Sequence, residues 1–93
     1  MATLDELRPR VLAALRTVPS GEVVTYGELA MEAGAPKQSR LVGRILAEGH
    51  ADVPWWRVVN ASGRLVPGHE EEQRRRLVTE GVELTDRGVR MRR

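Results

Sequence analysis

The chain has no cysteine and no phenylalanine, and its aromatic side chains are two tryptophans and one tyrosine. Without a thiol there can be no disulfide, no cysteine-ligated zinc and no sulfur nucleophile. That leaves the redox compartment open and agrees with a cytoplasmic setting. No apolar run approaches the ~20 residues of a membrane-spanning helix, so no membrane partner is expected. The first ten residues carry Asp5, Glu6, Arg8 and Arg10 and lack the apolar stretch of a secretion signal. A soluble protein of the cytoplasm, or of the nucleoid if the source is bacterial, is the expectation. A large charge excess is also missing: 15 Lys and Arg against 13 Asp and Glu leave a net +2.

Groups able to do chemistry are sparse. His50 and His69 are isolated and show no metal-ligand spacing, so no metal is expected. Glu70, Glu71 and Glu72 read as a helix N-terminus favoured by the dipole rather than a catalytic cluster. Ser20, Ser39 and Ser62 carry no signature of a partner base. There is no phosphate-cradling glycine loop, and no cofactor is expected. The sequence offers no catalytic residue.

What is present is a distribution of charge. Residues 37–44 hold three cations (Lys37, Arg40, Arg44) and no anion, and residues 87–93 hold four arginines and no anion. A local basic face on a nearly balanced chain suits DNA contact, although an ordinary solvated surface would look the same. At 93 residues the chain reads as a single domain over 1–93, expected to act as a monomer.

Apolar spacing predicts a helix over 3–15, with Thr3 and Glu6 as a capping box and Leu4, Leu7, Val11, Leu12 and Leu15 as its stripe. Pro9 predicts either a later start or an irregular first turn. After a turn at Pro19-Ser20-Gly21 comes a short extended piece over 22–24. Thr25 then caps a second helix over 26–32, ended by Gly34. A third helix is expected over 36–47, with Pro36 in its first turn. Two short helices joined by a tight turn make a helix-turn-helix, the motif that presents a helix to a DNA groove. An irregular stretch over 48–54 leads to Trp55 and Trp56 and a short strand at Val58-Val59. A helix over 70–80 follows, then a tail that could form a small hairpin or wing. The expected fold is α+β and mostly helical, a winged-helix-like DNA-binding domain. The adjacent tryptophans read either as a stacking platform for a base or an alkyl group, or as cover for the small core under their loop.

Taken in order, these motifs resemble the C-terminal domain of the O6-alkylguanine-DNA alkyltransferases over about residues 7–82. The resemblance rests on Pro19-Ser20-Gly21-Glu22-Val23-Val24-Thr25-Tyr26-Gly27-Glu28-Leu29-Ala30, Ala33-Gly34-Ala35-Pro36-Lys37 and Ser39-Arg40-Leu41-Val42-Gly43. It continues in Pro54-Trp55-Trp56-Arg57-Val58-Val59-Asn60 and Leu77-Val78-Thr79-Glu80-Gly81-Val82. The family's enzymes have Pro-Cys-His-Arg-Val at the Pro54 position, where the cysteine accepts the alkyl group. Here Trp55 stands at the cysteine, so alkyl transfer is chemically excluded. That substitution resembles the alkyltransferase-like proteins, which bind alkylated guanine without turnover and hand it to nucleotide excision repair. Trp56 stands where that subfamily keeps histidine.

The resemblance implies double-stranded DNA containing O6-alkylguanine as partner, with nucleotide excision repair proteins downstream. It implies a lesion pocket of Trp55, Trp56, Val58, Val66, Pro67 and Gly68, and base flipping by Tyr26 and Arg40. Lys37, Gln38, Ser39, Gly43 and Arg44 would meet the DNA, with Glu80 kept in a structural role. Two other readings stand beside this one. One is a winged-helix regulator without lesion specificity. The other is an enzyme of a different kind using Glu80 or the N-terminal amine, which no pair of residues suggests.

Overall fold

The computed structural model describes residues 2–50 and 52–91. Met1, Ala51 of the irregular stretch, and Arg92 and Arg93 of the basic run lie outside the described residues. Four α-helices, a 3-10 turn and four two-residue strands follow in the order α1 (Leu4–Arg16), β1 (Val24–Thr25), α2 (Tyr26–Glu32), α3 (Ser39–Ala47), the 3-10 turn (Trp55–Arg57), β2 (Val58–Val59), α4 (Glu70–Thr79), β3 (Leu84–Thr85) and β4 (Gly88–Val89). This is the expected α+β, mostly helical, helix-turn-helix architecture. No described helix is long and apolar enough to cross a membrane.

Local chemistry sets the helix ends. Thr3 and Thr25 each accept a hydrogen bond from the backbone N–H three residues on. Glu6 and Glu28 return the bond, so both capping boxes are complete. Such caps stabilise a helix by about 1 kcal/mol each. At the C-terminus of α2, Ala35 N–H donates to the Ala30 carbonyl and Gly34 N–H to that of Met31. Val82 and Gly81 repeat the pattern on Leu77 and Val78 at the end of α4. Both are Schellman closures, which place glycine in the left-handed region (Gly34 at φ 80°, Gly81 at φ 83°).

Two expectations about boundaries need correction. Pro9 neither delays nor distorts the start of α1: it lies inside a helix that begins at Leu4. Its missing N–H would have met the carbonyl of Asp5, and both residues lie on the exposed face, where water can take that bond. The third helix does not begin at Pro36. Pro36 and Lys37 form a turn in which Lys37 takes φ 73°, and α3 starts at Ser39. A residue in the left-handed region breaks the helical path, so Pro36 closes the connection from α2 instead of opening α3.

The chain forms two cores, and β2 is the wall between them. Neighbouring strand residues point to opposite faces. Fully buried Val58 therefore joins Leu7, Val11, Leu15, Leu29, Val42 and Ile45 in the core of α1, α2 and α3. Equally buried Val59 joins Leu65, Leu77 and Val89 under α4 and the hairpin. β1 pairs with β2 in parallel, Val24 opposite Val58, which ties the start of the helix-turn-helix to the segment after the tryptophans. β3 and β4 form the expected hairpin around Asp86 and Arg87. An isolated bridge from Arg64 to Gly88 fastens this hairpin to the turn before it. The approach is so close that a Cβ on Gly63 would collide with the Val89 carbonyl, and one on Gly88 with the Gly63 carbonyl.

Candidate functional site

A cavity of about 590 Å³ opens between α3 and the loop that precedes α4. One wall is α3, through Gly43, Leu46 and Ala47. The opposite wall is Trp55, Val66, Pro67 and His69, with Tyr26, Gly49, His50 and Glu72 completing the lining. The volume falls in the range typical of small-ligand sites, and the walls are mainly apolar with a few polar groups, the usual composition of such sites. Gly43 presents a bare backbone there, since a Cβ on it would meet nothing within 4 Å. Burial pushes the Tyr26 hydroxyl above its ordinary pKa.

The surface of α3 and of the turn before it is basic. Lys37, Arg40 and Arg44 are exposed, and none makes a side-chain hydrogen bond or salt bridge among the described residues. Several other cations are paired. Arg8 joins Asp5 and Glu48, Arg16 joins Asp52, and Arg76 joins Glu72. The cations left unpaired on the helix-turn-helix are thus available to an anionic partner. Ser39, the first residue of α3, is exposed beside them.

The two tryptophans part company. Their rings meet edge to face, with centroids 6.2 Å apart and planes at 88°. Trp55 turns into the cavity, where the His69 ring lies against it at 5.7 Å and 65°. Trp56 turns the other way and does not line the cavity, contrary to expectation. Its Nε1 donates to Glu80 Oε2 at 2.9 Å, and the Arg57 and Arg76 guanidinium groups lie 5.3 and 4.5 Å from its ring centroid. Consecutive residues of a 3-10 turn leave it about 120° apart, so one apolar face cannot hold both rings.

Glu80 organises this second cluster. It accepts from Trp56 Nε1, from Arg57 Nε at 3.0 Å and Nη2 at 2.6 Å, and from Gly21 N–H at 3.3 Å. The Arg57 guanidinium, with the Trp56 and Gly21 donors, holds its carboxyl well below the usual range, at about 2. Arg57 Nη1 also donates to the Val18 carbonyl. One carboxylate thereby joins the 3-10 turn, the end of α4 and the turn after α1.

Three further sequence expectations are corrected. Val58 does not line the cavity. Its side chain is in the core, its N–H donates to the Trp55 carbonyl, and its carbonyl accepts from Gln73 Nε2 at 2.8 Å. Gln38 is not a surface residue: it is only 9% exposed, and its amide donates to the Ala2 carbonyl at 3.3 Å. Gly68 is exposed in the loop but outside the lining, with its N–H bonded to Glu70 Oε1.

Sequence reasoning missed several residues. His50 and His69, isolated along the chain, both line the cavity, and Glu72 joins them from α4. His50 Nε2 lies 2.9 Å from the Ile45 carbonyl and 3.4 Å from Glu48. Gln73 is fully buried yet fully bonded, donating to the Trp56 and Val58 carbonyls and accepting from Val66 N–H at 2.7 Å. It fastens the cavity loop to α4. A polar residue at the i, i+4 position of the otherwise apolar Leu77 face was the available signal.

The family described as 6-O-methylguanine DNA methyltransferase, DNA binding domain, matches residues 6–82. A DNA base-flipping protein of Vibrio parahaemolyticus is 36% identical over 90 residues, covering 91% of this chain and 89% of its own. Alkyltransferase-like protein 1 of Schizosaccharomyces pombe is 38% identical over 87 residues, covering 87% of this chain and 81% of its own. The crystal structure of S. pombe Atl1 in complex with damaged DNA containing O6-carboxymethylguanine superposes with a TM-score of 0.81 at 37% identity, covering 91% and 83%.

Proposed function

The chain belongs to the 6-O-methylguanine DNA methyltransferase DNA-binding-domain family as an alkyltransferase-like protein, and on that premise we propose that it binds O6-alkylguanine in duplex DNA without removing the alkyl group. The observation that carries this reading is the mainly apolar cavity walled by Trp55, with unpaired cations on the helix-turn-helix; the sequence resemblance puts Trp55 at the position of the family enzymes' cysteine. An indole has no nucleophile for an alkyl carbon, so the cavity can hold a lesion but cannot repair it. Lys37, Arg44 and Ser39 meet the phosphates and supply sequence-independent affinity. Gly43 lets α3 approach the minor groove closely. Tyr26 and Arg40 act on the lesion nucleotide: the tyrosine crowds its phosphate, and the arginine fills the stack that the base leaves.

Extrusion costs a few kcal/mol, least where pairing is already weak. O6-alkylation damages the Watson–Crick edge of guanine, so the lesion flips more cheaply than the normal base. Trp55, Val66 and Pro67 then enclose it. A bound complex with no chemistry to end it persists, and we assign it the role of marking the lesion for nucleotide excision repair, one copy of the single 1–93 domain per lesion, in the cytoplasm or nucleoid.

The test is incubation with a duplex carrying a labelled O6-methyl group. The reading expects a stable complex with all label retained on the DNA. Label recovered on the protein, or released with a base or a cut strand, would overturn it.

A further inference from the structure

The cavity has cations on its α3 side, and one arginine on its other side has no assigned part. Arg64 is exposed and makes no side-chain hydrogen bond or salt bridge among the described residues. Its main chain is nevertheless held firmly. Its N–H donates to Asn60 Oδ1 at 2.9 Å, its carbonyl accepts from Asn60 N–H at 3.1 Å, and it bridges to Gly88 of the hairpin. That bridge is the one where Gly63 and Gly88 leave no room for a Cβ, so the spacing between the two segments is fixed.

The direction of the side chain follows from the extended path. Leu65 is buried under α4 with Val89, and burial alternates through Arg64, Leu65 and Val66. Arg64 and Val66 therefore share one side of the segment, about 7 Å apart along it. Val66 lines the cavity. Arg64 thus lies on the same side of the segment as Val66, whose wall faces α3 across the cavity.

We propose that Arg64 is a phosphate-binding residue that grips the lesion strand next to the flipped nucleotide. This rests on the proposed function above. A base seated in the cavity leaves its sugar at the mouth, so its strand must run across the opening, with flanking phosphates on either side. Lys37, Arg40 and Arg44 stand on the α3 side of that path, and Arg64 is a cation on the other. A guanidinium can take two phosphate oxygens at once, and the fixed backbone limits the conformational freedom lost on doing so. Because the strand reaches this side only when the base is extruded, Arg64 adds more to lesion binding than to unmodified duplex.

The experiment compares the wild-type chain with Arg64→Ala, Arg64→Lys and Arg75→Ala on O6-methylguanine and guanine duplexes over a range of salt. Arg75 is also exposed and unpaired among the described residues, but it lines the separate groove beside Trp56. Its loss controls for the general effect of one positive charge. Arg64→Ala is expected to weaken lesion binding about three- to tenfold and to lower the slope of log affinity against log salt by about one contact. Arg64→Lys should restore most of the slope, and Arg75→Ala should leave it near wild type. The Arg64 side chain supports no other group, so thermal unfolding should be unchanged. An unaltered slope and affinity in Arg64→Ala, or equal losses in Arg64→Ala and Arg75→Ala, would overturn the proposal. If the wild-type chain itself fails to bind the lesion duplex, the functional reading fails instead.

Discussion

At the scale of single residues, Glu80 matters most for holding the tryptophan segment. Its carboxylate and Arg57 form a largely buried pair, 12% and 15% exposed, and the same carboxylate takes the Trp56 N–H. Removing one partner of a buried pair leaves the other uncompensated and typically costs about 3–5 kcal/mol. Glu80→Gln should therefore be strongly destabilised at neutral pH. Because the folded pKa is depressed to about 2, the stabilisation is fully present above the ordinary carboxyl pKa of ~4.3 and is lost as pH falls from there through about 2. Urea unfolding of both proteins from pH 6 to pH 2 should show the gap narrowing below about pH 4.5. A gap independent of pH would mean that the ion pair contributes nothing. The structural role of Glu80 was legible in the sequence, but its partners were not. Trp56 looked like a pocket residue because it adjoins Trp55 in the chain. The turn that sends neighbouring side chains apart, and the carboxylate 24 positions away that captures one of them, become visible only in three dimensions.

At the scale of elements, the helix-turn-helix was readable because its signals are local. Capping boxes, a Schellman glycine and apolar spacing all lie within a few residues of the features they specify. The start of α3 was misplaced because proline suits both a first helical turn and the turn before a helix, and only the φ of Lys37 decides between them. That correction affects mechanism. Lys37 belongs to the turn, while Arg40 stands one residue into α3. The two cations should therefore fail differently. Lys37→Ala removes a phosphate contact and should weaken lesion and unmodified duplex by similar factors, since such contacts carry no base information. Arg40→Ala should weaken the lesion duplex more and reduce the fluorescence of an unstacked reporter base opposite or beside the lesion. Equal factors for both substitutions would reduce Arg40 to a phosphate contact. His50, His69 and Glu72 escaped sequence reasoning because His50 follows α3 while His69 and Glu72 stand at the start of α4, and only tertiary packing brings these two segments to one cavity.

At the scale of the whole molecule, two small cores share the wall made by β2, and the cavity lies where the helix-turn-helix meets the loop tied to α4. The net charge of +2 is too small to hold DNA as a general field, so affinity must come from where the unpaired cations stand. Non-specific binding should then fall steeply with salt, through release of counterions. Most of the discrimination should persist, because it arises chiefly in a largely uncharged cavity and only the single Arg64 contact of the extruded state weakens with salt. The decisive measurement is a competitive titration at two salt concentrations, using duplexes that differ only in guanine, O6-methylguanine or a bulkier O6-alkylguanine. The account predicts tighter binding of both modified duplexes, with a ratio to guanine that survives the rise in salt while every absolute affinity falls. Equal affinity for all three duplexes, the behaviour of a winged-helix regulator without lesion specificity, would contradict it.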